Sequence, residues 1–123
     1  MKRFLCLIAI ALPFASMSAS AEVMQYSLCT LKDGKTIQDV QAWVTSWRTL
    51  VKQAGKQYQI RILLPHAAEL KLDQFYIEGS SPTLTTYAAG WEWWYADPLA
   101  QKSNAQLVST ANCEANEIYM TAD

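Results

Sequence analysis

The chain has 123 residues, of which 51% are hydrophobic and 17% are charged, and its formal net charge is −1. Its lysines and arginines are scattered along the sequence without a basic run, which argues against a nucleic-acid partner. No P-loop, dinucleotide fingerprint, Cys-x-x-Cys pair or Gly-x-Ser-x-Gly elbow occurs. No motif therefore identifies a catalytic, metal or nucleotide site by itself.

Residues 1–21 have the three parts of a secretory signal peptide. Lys2 and Arg3 precede an apolar run from Phe4 to Phe14, and small residues lead up to Ala21. We predict cleavage after Ala21 and export to the periplasm or the extracellular space. The apolar run is shorter than the roughly 20 residues that cross a bilayer, and no later run approaches that length. No membrane span is predicted.

Cleavage would leave residues 22–123, a length that suits one domain with a modest core. The balance becomes 8 basic against 11 acidic residues, so the net charge falls to −3. Cys6 leaves with the signal peptide, and Cys29 and Cys113 remain. We predict that they form a disulfide, which in the chain-entropy model would stabilise the fold by roughly 4–5 kcal/mol. Two unpaired buried thiols are the alternative.

Alternating apolar and polar residues predict a first strand from Val23 to Leu31. Thr36 and Asp39 resemble a capping box, and the helix that follows ends at Ala54-Gly55. One face of this helix is apolar. Its members are Val40, Trp43, Val44, Trp47, Leu50 and Val51.

Four further elements follow. Alternation predicts a second strand from Tyr58 to Leu64 and a third from Gln74 to Glu78. Ser81, as the cap, and Pro82 predict the start of a second helix that keeps helical spacing through Tyr95. A shorter helical continuation is predicted from Leu99 to Val108, and a fourth strand from Glu117 to Thr121.

The order βαββαβ predicts a ferredoxin-like α+β domain, with a four-stranded antiparallel sheet and the helices on one face. In this topology the first and fourth strands are antiparallel neighbours, which brings Cys29 close to Cys113. Counting by twos from Tyr119 also places Cys113 on the side that Cys29 faces. Both arguments support the disulfide.

This order and length, together with the pattern Ser-Pro-x-Leu-x-x-Tyr-x-x-Gly-Trp that begins at Ser81, resemble the dimeric α+β-barrel superfamily. The resemblance implies that the sheets of two subunits pair into a barrel. In the haem-degrading monooxygenases of the superfamily it would also require an Asn, Trp and His constellation. Here the first strand offers Gln25 and Ser27, and the one histidine, His66, falls in a loop, which departs from that pattern.

The two faces of the predicted sheet differ in composition. One is apolar and is predicted to pack beneath the helices: Met24, Tyr26, Leu28, Ile60, Ile62, Leu64, Phe75, Ile77, Ile118 and Met120. The other mixes long amphipathic side chains with few charges: Gln25, Ser27, Gln59, Arg61, Leu63, Tyr76, Glu78 and Tyr119. Such a mixed face suits a partner sheet, so we predict a homodimer through it, with an ordinary solvated face as the alternative.

The five tryptophans fall into two groups. Trp43 and Trp47 lie on the apolar stripe of the first helix and are predicted to be core. Trp91, Trp93 and Trp94 cannot all face the sheet together with Tyr95, since consecutive helical residues point in different directions. Trp93 at least is predicted to be partly exposed or to line a groove between the second helix and the sheet. Exposed aromatic clusters mark ligand or partner contacts.

The polar candidates allow several interpretations. Arg61 and Glu78 lie on neighbouring strands and favour a cross-strand ion pair. Alternatively, Arg61 clamps an anionic ligand while Tyr76 or Glu78 transfers a proton. His66, even with Glu69 and Asp73 nearby, offers too few converging ligands for zinc, so neither a metal nor another cofactor is predicted.

We predict an exported, non-catalytic domain that binds a small aromatic or amphipathic molecule. The candidate ligand-binding residues are Arg61, Tyr76, Glu78, Trp91, Trp93, Trp94 and Tyr119. One alternative is a cofactor-independent oxygenase or isomerase of the same superfamily, with Arg61, Tyr76, Glu78 or His66 as working groups. Another is a protein-interaction module whose aromatic helix contacts a second protein.

Overall fold

The structure, a computed structural model, describes residues 21–66 and 71–122, and the side chains of residues 115 and 116 are not considered. Except for Ala21, the predicted signal peptide lies outside the described residues, as does Glu69. The elements in chain order are β1 (Val23–Leu31), α1 (Ile37–Gln53), β2 (Gln59–Leu63), β3 (Gln74–Ser81), α2 (Leu84–Ala96), α3 (Pro98–Thr110) and β4 (Ala111–Met120). No helix in these two segments is both long and apolar enough to cross a bilayer.

The four strands form one antiparallel sheet in the order β2-β3-β1-β4. The central strand β1 pairs with β3 on one side and with β4 on the other. This is the split order predicted from the sequence. Cys29 lies directly opposite Cys113 in the β1-β4 ladder, and the two residues form the predicted disulfide.

Helix α1 begins and ends where the sequence predicts. The Thr36 hydroxyl accepts a hydrogen bond from the Asp39 backbone N–H, and the Asp39 carboxylate accepts one from the Thr36 N–H at 2.7 Å. After the helix, Gly55 has a φ of +65°, which glycine adopts without the steric cost that a Cβ imposes. The reciprocal cap and this glycine fix the two ends of α1.

Helix α2 starts later than predicted. Ser81 is the last residue of β3, so its assignment as the helix cap was wrong, and α2 begins at Leu84 with Thr83 as its N-cap. Thr83 and Thr86 form the capping box, in which the Thr83 hydroxyl accepts from the Thr86 N–H at 3.1 Å. Two patterns in this stretch resemble a helix start: the pair Ser81-Pro82, and Thr83 followed three residues later by Thr86. The helix begins at the second pattern.

The predicted helical continuation is a separate helix, α3. Asp97 ends α2 and caps α3, since its carboxylate accepts hydrogen bonds from the N–H groups of Leu99 and Ala100 at 2.8 and 3.1 Å. Helix α3 packs against α1, where the Trp43 indole N–H donates to the Ser103 carbonyl at 3.0 Å. This contact holds Trp43 in the core, as predicted.

The core lies between the helices and one face of the sheet. Ile60, Phe75 and Ile77 are buried there, as predicted, against Trp43 and Trp47. The face predicted for β1 was wrong. The ladder places Ser27 opposite Ile77 and Cys29 opposite Phe75, so the side of β1 that contains Gln25, Ser27 and Cys29 faces the helices. Met24, Tyr26 and Leu28 face the other way.

Three further residues predicted to be core are exposed: Leu64, Ile118 and Met120, each with more than half of its surface accessible. Leu64 lies just beyond the end of β2. Ile118 and Met120 lie opposite Gln25 and Val23 and so share the helix side of the sheet. The alternating pattern assigned their side correctly but did not reveal how far the helices extend over β4.

Strand β4 begins at Ala111, well before the predicted start at Glu117, and contains a β-bulge. Asn116 lies opposite Ser27 while Glu114 lies opposite Leu28, so β4 has one extra residue at this point. After the bulge, odd-numbered residues face the side of the sheet that even-numbered residues faced before it. Cys113 therefore faces the helices with Cys29, whereas Tyr119, opposite Met24, faces away. The count from Tyr119 to Cys113 was wrong, although the disulfide it supported is correct.

Candidate functional site

A cavity of about 260 Å³ lies between the sheet and the helices. We call it the aromatic cavity after its lining rings, which are Trp43, Trp47, Tyr58, Trp91, Trp93, Trp94 and Tyr95. Gln25, Ser27 and Asn104 add polar groups to the lining. Because an apolar cavity of about 150 Å³ is enough to bind benzene, this volume suits a molecule of one or two rings.

The rings along α2 form a continuous wall. Tyr87, Trp91 and Tyr95 are spaced four residues apart and therefore lie above one another on the helix. Their ring centroids are 6.3 Å apart for Tyr87 and Trp91 and 5.4 Å for Trp91 and Tyr95. Tyr58 continues the wall to α1, at 5.9 Å from both Tyr87 and Trp47. These separations are typical of stabilising aromatic pairs.

Tyr58 reaches the interior by passing between two glycines. Its side chain lies against Gly79 of β3 and Gly90 of α2. A Cβ atom at position 79 would come within 2.3 Å of the Tyr58 hydroxyl oxygen, and one at position 90 within 3.2 Å of its ring. The missing side chains at these two positions make the space in which Tyr58 lies.

The polar end of the cavity is centred on Gln25, which is only 4% exposed. Its carboxamide oxygen accepts hydrogen bonds from the Tyr87 hydroxyl at 2.7 Å, the Tyr58 hydroxyl at 3.1 Å and the Trp91 indole N–H at 3.1 Å. We call these four residues the Gln25 cluster. The bonds explain how a polar amide can be buried on the helix side of β1.

Both tyrosines of the cluster are protonated donors at neutral pH. Burial raises the pKa of Tyr58, and the nearby Tyr87 raises it further. Burial is also the main cause of the raised pKa of Tyr87. A hydrogen bond from Trp91 acts in the opposite direction on both pKa values without reversing either shift. The cluster is therefore rich in hydrogen-bond donors.

The predicted site residues fall on opposite sides of the sheet. Trp91, Trp93 and Trp94 line the aromatic cavity, and Trp93 is half-buried as expected. The other four predicted residues lie on the sheet face turned away from the helices: Arg61, Tyr76, Glu78 and Tyr119. The structure therefore does not bring the seven candidates together into one site.

The face turned away from the helices, which we call the outer sheet face, is more apolar than predicted because Met24, Tyr26 and Leu28 belong to it. Arg61 lies opposite Glu78 in the β2-β3 ladder, and the two form an ion pair. Burial and a hydrogen bond to Glu78 raise the pKa of Tyr26. The outer sheet face thus combines apolar side chains with an internally neutralised charge pair.

Tyr119 packs on the same outer sheet face. Its ring meets that of Tyr26 edge-on at 5.7 Å, and its hydroxyl donates to the Glu117 carboxylate at 2.7 Å. Hydrogen bonding to this carboxylate raises the pKa of Tyr119. Its contacts belong to the outer sheet face and not to the aromatic cavity.

A second, larger cavity of about 760 Å³ contains Arg61 and Glu78 in its lining. Trp47, Tyr58 and Ile60 line both cavities, so they separate the aromatic cavity from this more polar groove. His66 is exposed at the end of the described segment 21–66. Within the described parts of the chain, no three His, Cys, Asp or Glu side chains are grouped to hold a metal ion.

Sequence reasoning missed three residues of the Gln25 cluster. Gln25 was assigned to the outer face, and neither Tyr58 nor Tyr87 was among the candidate site residues. The available signal was glycine: Gly79 interrupts a strand and Gly90 a helix, and a glycine inside an element often marks the close approach of another group. Here that group is Tyr58.

Solved structures that resemble this chain share its architecture. SnoaB from Streptomyces nogalater, a cofactor-independent oxygenase, matches with 12% identity and a TM-score of 0.56, over 85% of this chain and 96% of that one. A conserved protein of unknown function from Bacteroides thetaiotaomicron, described as a possible oxidoreductase, matches with 8% identity and a TM-score of 0.52, over 84% and 100%. The fold is ferredoxin-like.

A dimeric protein of unknown function and ferredoxin-like fold from Bacteroides fragilis matches with 12% identity and a TM-score of 0.47, over 81% of this chain and 94% of that one. No family model matches the sequence, and no curated protein matches it. At these identities the likeness concerns the fold alone. At that level the ferredoxin-like fold predicted from the sequence is confirmed.

Proposed function

We propose that this protein binds a small planar aromatic molecule in the aromatic cavity. The observation that carries the proposal is a cavity with walls of tryptophan and tyrosine rings and a donor cluster at one end. Ligand sites typically combine such an apolar lining with a few placed polar groups. The rings supply contact area, and the Gln25 cluster supplies orientation.

Binding without catalysis is favoured by the chemistry of the lining. Among the described residues that line the aromatic cavity, none has a carboxylate, an imidazole or an amine. The raised pKa of Tyr58 keeps its hydroxyl protonated, so it is a donor and not a base. Ring faces and hydrogen-bond donors of this kind are suited to holding and orienting a molecule.

The enzymatic alternative uses residues elsewhere. Arg61, Tyr76, Glu78 and His66 do not line the aromatic cavity. Since SnoaB is a cofactor-independent oxygenase with this fold, oxygen consumption in the presence of a bound aromatic compound is the measurement that distinguishes the alternatives. Oxygen uptake that Arg61→Ala or Tyr76→Phe abolishes would favour the enzyme, whereas binding without uptake is expected.

The binding test uses naphthalene as the probe, with isothermal titration calorimetry and tryptophan emission as the measurements. We expect one site per chain, and Trp93→Ala weakens binding at least about tenfold because it removes a ring of the wall. Tyr119→Ala, a ring on the outer sheet face, is the control and leaves the affinity unchanged. No binding of naphthalene or of smaller aromatics would contradict the proposal. An equal loss of affinity in Trp93→Ala and Tyr119→Ala would show that naphthalene does not bind in the aromatic cavity.

We also propose that two copies pair through the outer sheet face. Its support is composition: half-buried Met24, Tyr26 and Leu28 lie beside the ion pair of Arg61 and Glu78, a combination that suits an interface core. Light scattering at micromolar concentration is expected to give a dimer mass for the wild type and a monomer mass for Leu28→Glu. Leu99→Glu on α3 is the matched control and keeps the dimer. A monomeric wild type would contradict the proposal.

A protein-interaction module is the remaining alternative for the aromatic helix. It predicts a co-purifying partner that is lost in Trp93→Ala and retained in Tyr119→Ala. In the same preparations, a bound small molecule predicts instead an adduct of low mass by native mass spectrometry. The species that Trp93→Ala releases would therefore have the mass of a protein in the first case and of a small molecule in the second.

We further propose that the protein is exported and that residues 22–123 fold as one α+β domain. The disulfide between Cys29 and Cys113 supports export, because such bonds persist in oxidising compartments. Mass analysis of the periplasmic or secreted protein is expected to show a chain that begins at Glu22. A chain that retains residues 1–21 and stays in the cytoplasm would contradict the proposal.

A further inference from the structure

The polar groove of about 760 Å³ brings together positive charges that are scattered along the sequence. Residues 22–123 contain eight lysines and arginines, and half of them line this groove: Arg48, Lys52, Lys56 and Arg61. Two carboxylates, those of Glu22 and Glu78, also line it. The groove therefore has an excess of positive charge, although the chain as a whole has a negative net charge.

The four positive charges are not equally available to a ligand. Arg61 forms an ion pair with Glu78, and the hydrogen bond of this pair is the main cause of the raised pKa of Arg61, to which the charge of Glu22 adds. Within residues 21–66 and 71–122, none of the other three basic residues of the groove forms an ion pair. The charge of Arg61 is therefore already neutralised, and the other three charges are not.

Helix α1 and the turn after it position the remaining three, Arg48, Lys52 and Lys56, which we call the cationic end of the groove. Arg48 and Lys52 are four residues apart and so lie on one face of the helix. After the helix, the Lys56 N–H donates to the Val51 carbonyl at 3.1 Å, which folds the chain back against the last turn. The Arg48 guanidinium donates to the Ile60 carbonyl at 3.1 Å and is thereby placed beside β2. Because a guanidinium has five N–H donors, others are left for a ligand.

Apolar side chains complete the lining of the groove. Five residues with apolar or aromatic side chains contribute to it: Met24, Trp47, Val51, Tyr58 and Ile60. Two of them directly precede Arg48 and Lys52 in α1, so an apolar stripe of the helix runs beside the cations. An inorganic anion would contact the cations alone, whereas a molecule with a charged head and an apolar body would contact both parts of the lining.

We infer that this groove binds an organic anion with a hydrocarbon body, of which a fatty-acid carboxylate is the simplest example. The carboxylate lies at the cationic end, where an arginine and two lysines supply charge-assisted hydrogen bonds. The hydrocarbon body lies against the apolar lining. This site is separate from the aromatic cavity, and the inference does not depend on the proposed function.

Three probes separate the contributions of charge and of apolar contact: octanoate, octanol and acetate. Octanol keeps the hydrocarbon chain without the charge, and acetate keeps the charge without the chain. Isothermal titration calorimetry at neutral pH and low salt measures the three dissociation constants on the disulfide-bonded protein, with tryptophan emission as a second signal from Trp47. We expect octanoate to bind at one site per chain. Octanol and acetate are expected to bind at least about tenfold more weakly, since one lacks the charge-assisted hydrogen bonds and the other lacks the buried CH₂ groups.

The double variant Lys52→Gln, Lys56→Gln tests the cationic end. We expect the affinity for octanoate to fall about fivefold or more, as for the loss of two solvent-exposed ion pairs. The double variant Lys32→Gln, Lys102→Gln is the matched control, because it changes the net charge by the same amount at lysines that do not line the groove. It is expected to leave the affinity unchanged. Circular dichroism and the urea midpoint verify the fold of each variant.

Saturating naphthalene distinguishes the groove from the aromatic cavity. We expect octanoate to bind with unchanged affinity in its presence, and displacement would overturn the inference by placing octanoate in the aromatic cavity. Equal losses in the two double variants, or octanol or acetate binding as tightly as octanoate, would also overturn it. If octanoate does not bind, the inference fails, while naphthalene binding, measured separately, leaves the proposed function standing. If naphthalene does not bind, the lysine variants still decide whether the groove binds octanoate.

Discussion

Gly79 lies directly opposite Gln25 in the β1-β3 ladder, and the Tyr58 side chain crosses Gly79 to reach the Gln25 oxygen. A Cβ atom at position 79 would be 2.3 Å from the Tyr58 hydroxyl oxygen, closer than any real contact of this kind. The absence of a side chain at position 79 therefore allows the Tyr58 hydroxyl, which comes from the segment just before β2, to reach Gln25. The close packing of Tyr58 on Gly79 thus determines where the polar end of the aromatic cavity forms.

We expect Gly79→Ala to lower the free energy of unfolding by about 1–3 kcal/mol, since an added methyl group in a packed site forces neighbouring side chains out of place. Tyr58 must move, and its bond to Gln25 is lost. Urea unfolding measures the change. Gly90→Ala is the matched comparison: its nearest contact is 3.2 Å, and alanine favours the helix by about 1 kcal/mol, so its net effect is smaller. Equal stability of Gly79→Ala and wild type would contradict the steric argument.

The ion pair on the outer sheet face leads to a different prediction. Glu78 is 6% exposed, whereas the Arg61 side chain is largely accessible to solvent. Arg61→Met leaves the buried Glu78 carboxylate without its counter-ion and is expected to lower the free energy of unfolding, by an amount limited by the exposure of Arg61. The double variant Arg61→Met, Glu78→Gln removes the charge and recovers most of the loss. Urea unfolding at neutral pH tests this, and no recovery in the double variant would refute it.

The disulfide is expected to contribute strongly to stability. It joins residues that are 84 positions apart, so its loss frees a long loop in the unfolded chain. The double variant Cys29→Ala, Cys113→Ala is expected to lose about 2–5 kcal/mol of unfolding free energy. Wild type with dithiothreitol is expected to match it, while the reductant has no effect on the double variant. An unchanged melting temperature in the variant would show that the bridge adds no stability.

The capping box of α1 predicts a dependence of stability on pH. Hydrogen bonds from the Thr36 backbone and hydroxyl lower the pKa of Asp39 below its ordinary value of 3.8. The stabilisation is therefore fully present above that value and is lost as the pH falls through the lower folded-state pKa. The stability difference between wild type and Asp39→Asn is expected to shrink as the pH falls below 3.8. A difference that is independent of pH would count against the carboxylate as the source.

Signals confined to a short stretch of chain predicted the fold well. The bounds of β1 and the cap at Thr36 depend on neighbouring residues, and both are confirmed. The covered face of β1 is different, because alternation divides a strand into two sets without indicating which set the helices contact. The set with Met24 and Leu28 is the more apolar, yet the set with Gln25 is buried. The reason is three donors that come from distant parts of the chain.

The same limit applies to the candidate site. The crowding of aromatic residues at the end of α2 was enough to predict that Trp93 is partly exposed or lines a groove next to the sheet, and Trp93 is half-buried in the lining of the aromatic cavity. The polar end was not predictable from local pattern. Tyr58 precedes β2 and Tyr87 lies early in α2, so their convergence on Gln25 depends on tertiary packing.

One extra residue, at the bulge in β4, decides which side of the sheet the later residues of that strand face. Position 115 is the extra residue of the bulge, so its deletion would leave Glu114 opposite Leu28 and Asn116 opposite Ser27 in an uninterrupted ladder, with the disulfide at Cys113 in place. Tyr119 would stay opposite Met24 and keep its contact with Tyr26. The bulge therefore gives β4 one spare residue: a single deletion between Cys113 and Tyr119 can be absorbed by loss of the bulge, without turning either side chain to the other face of the sheet.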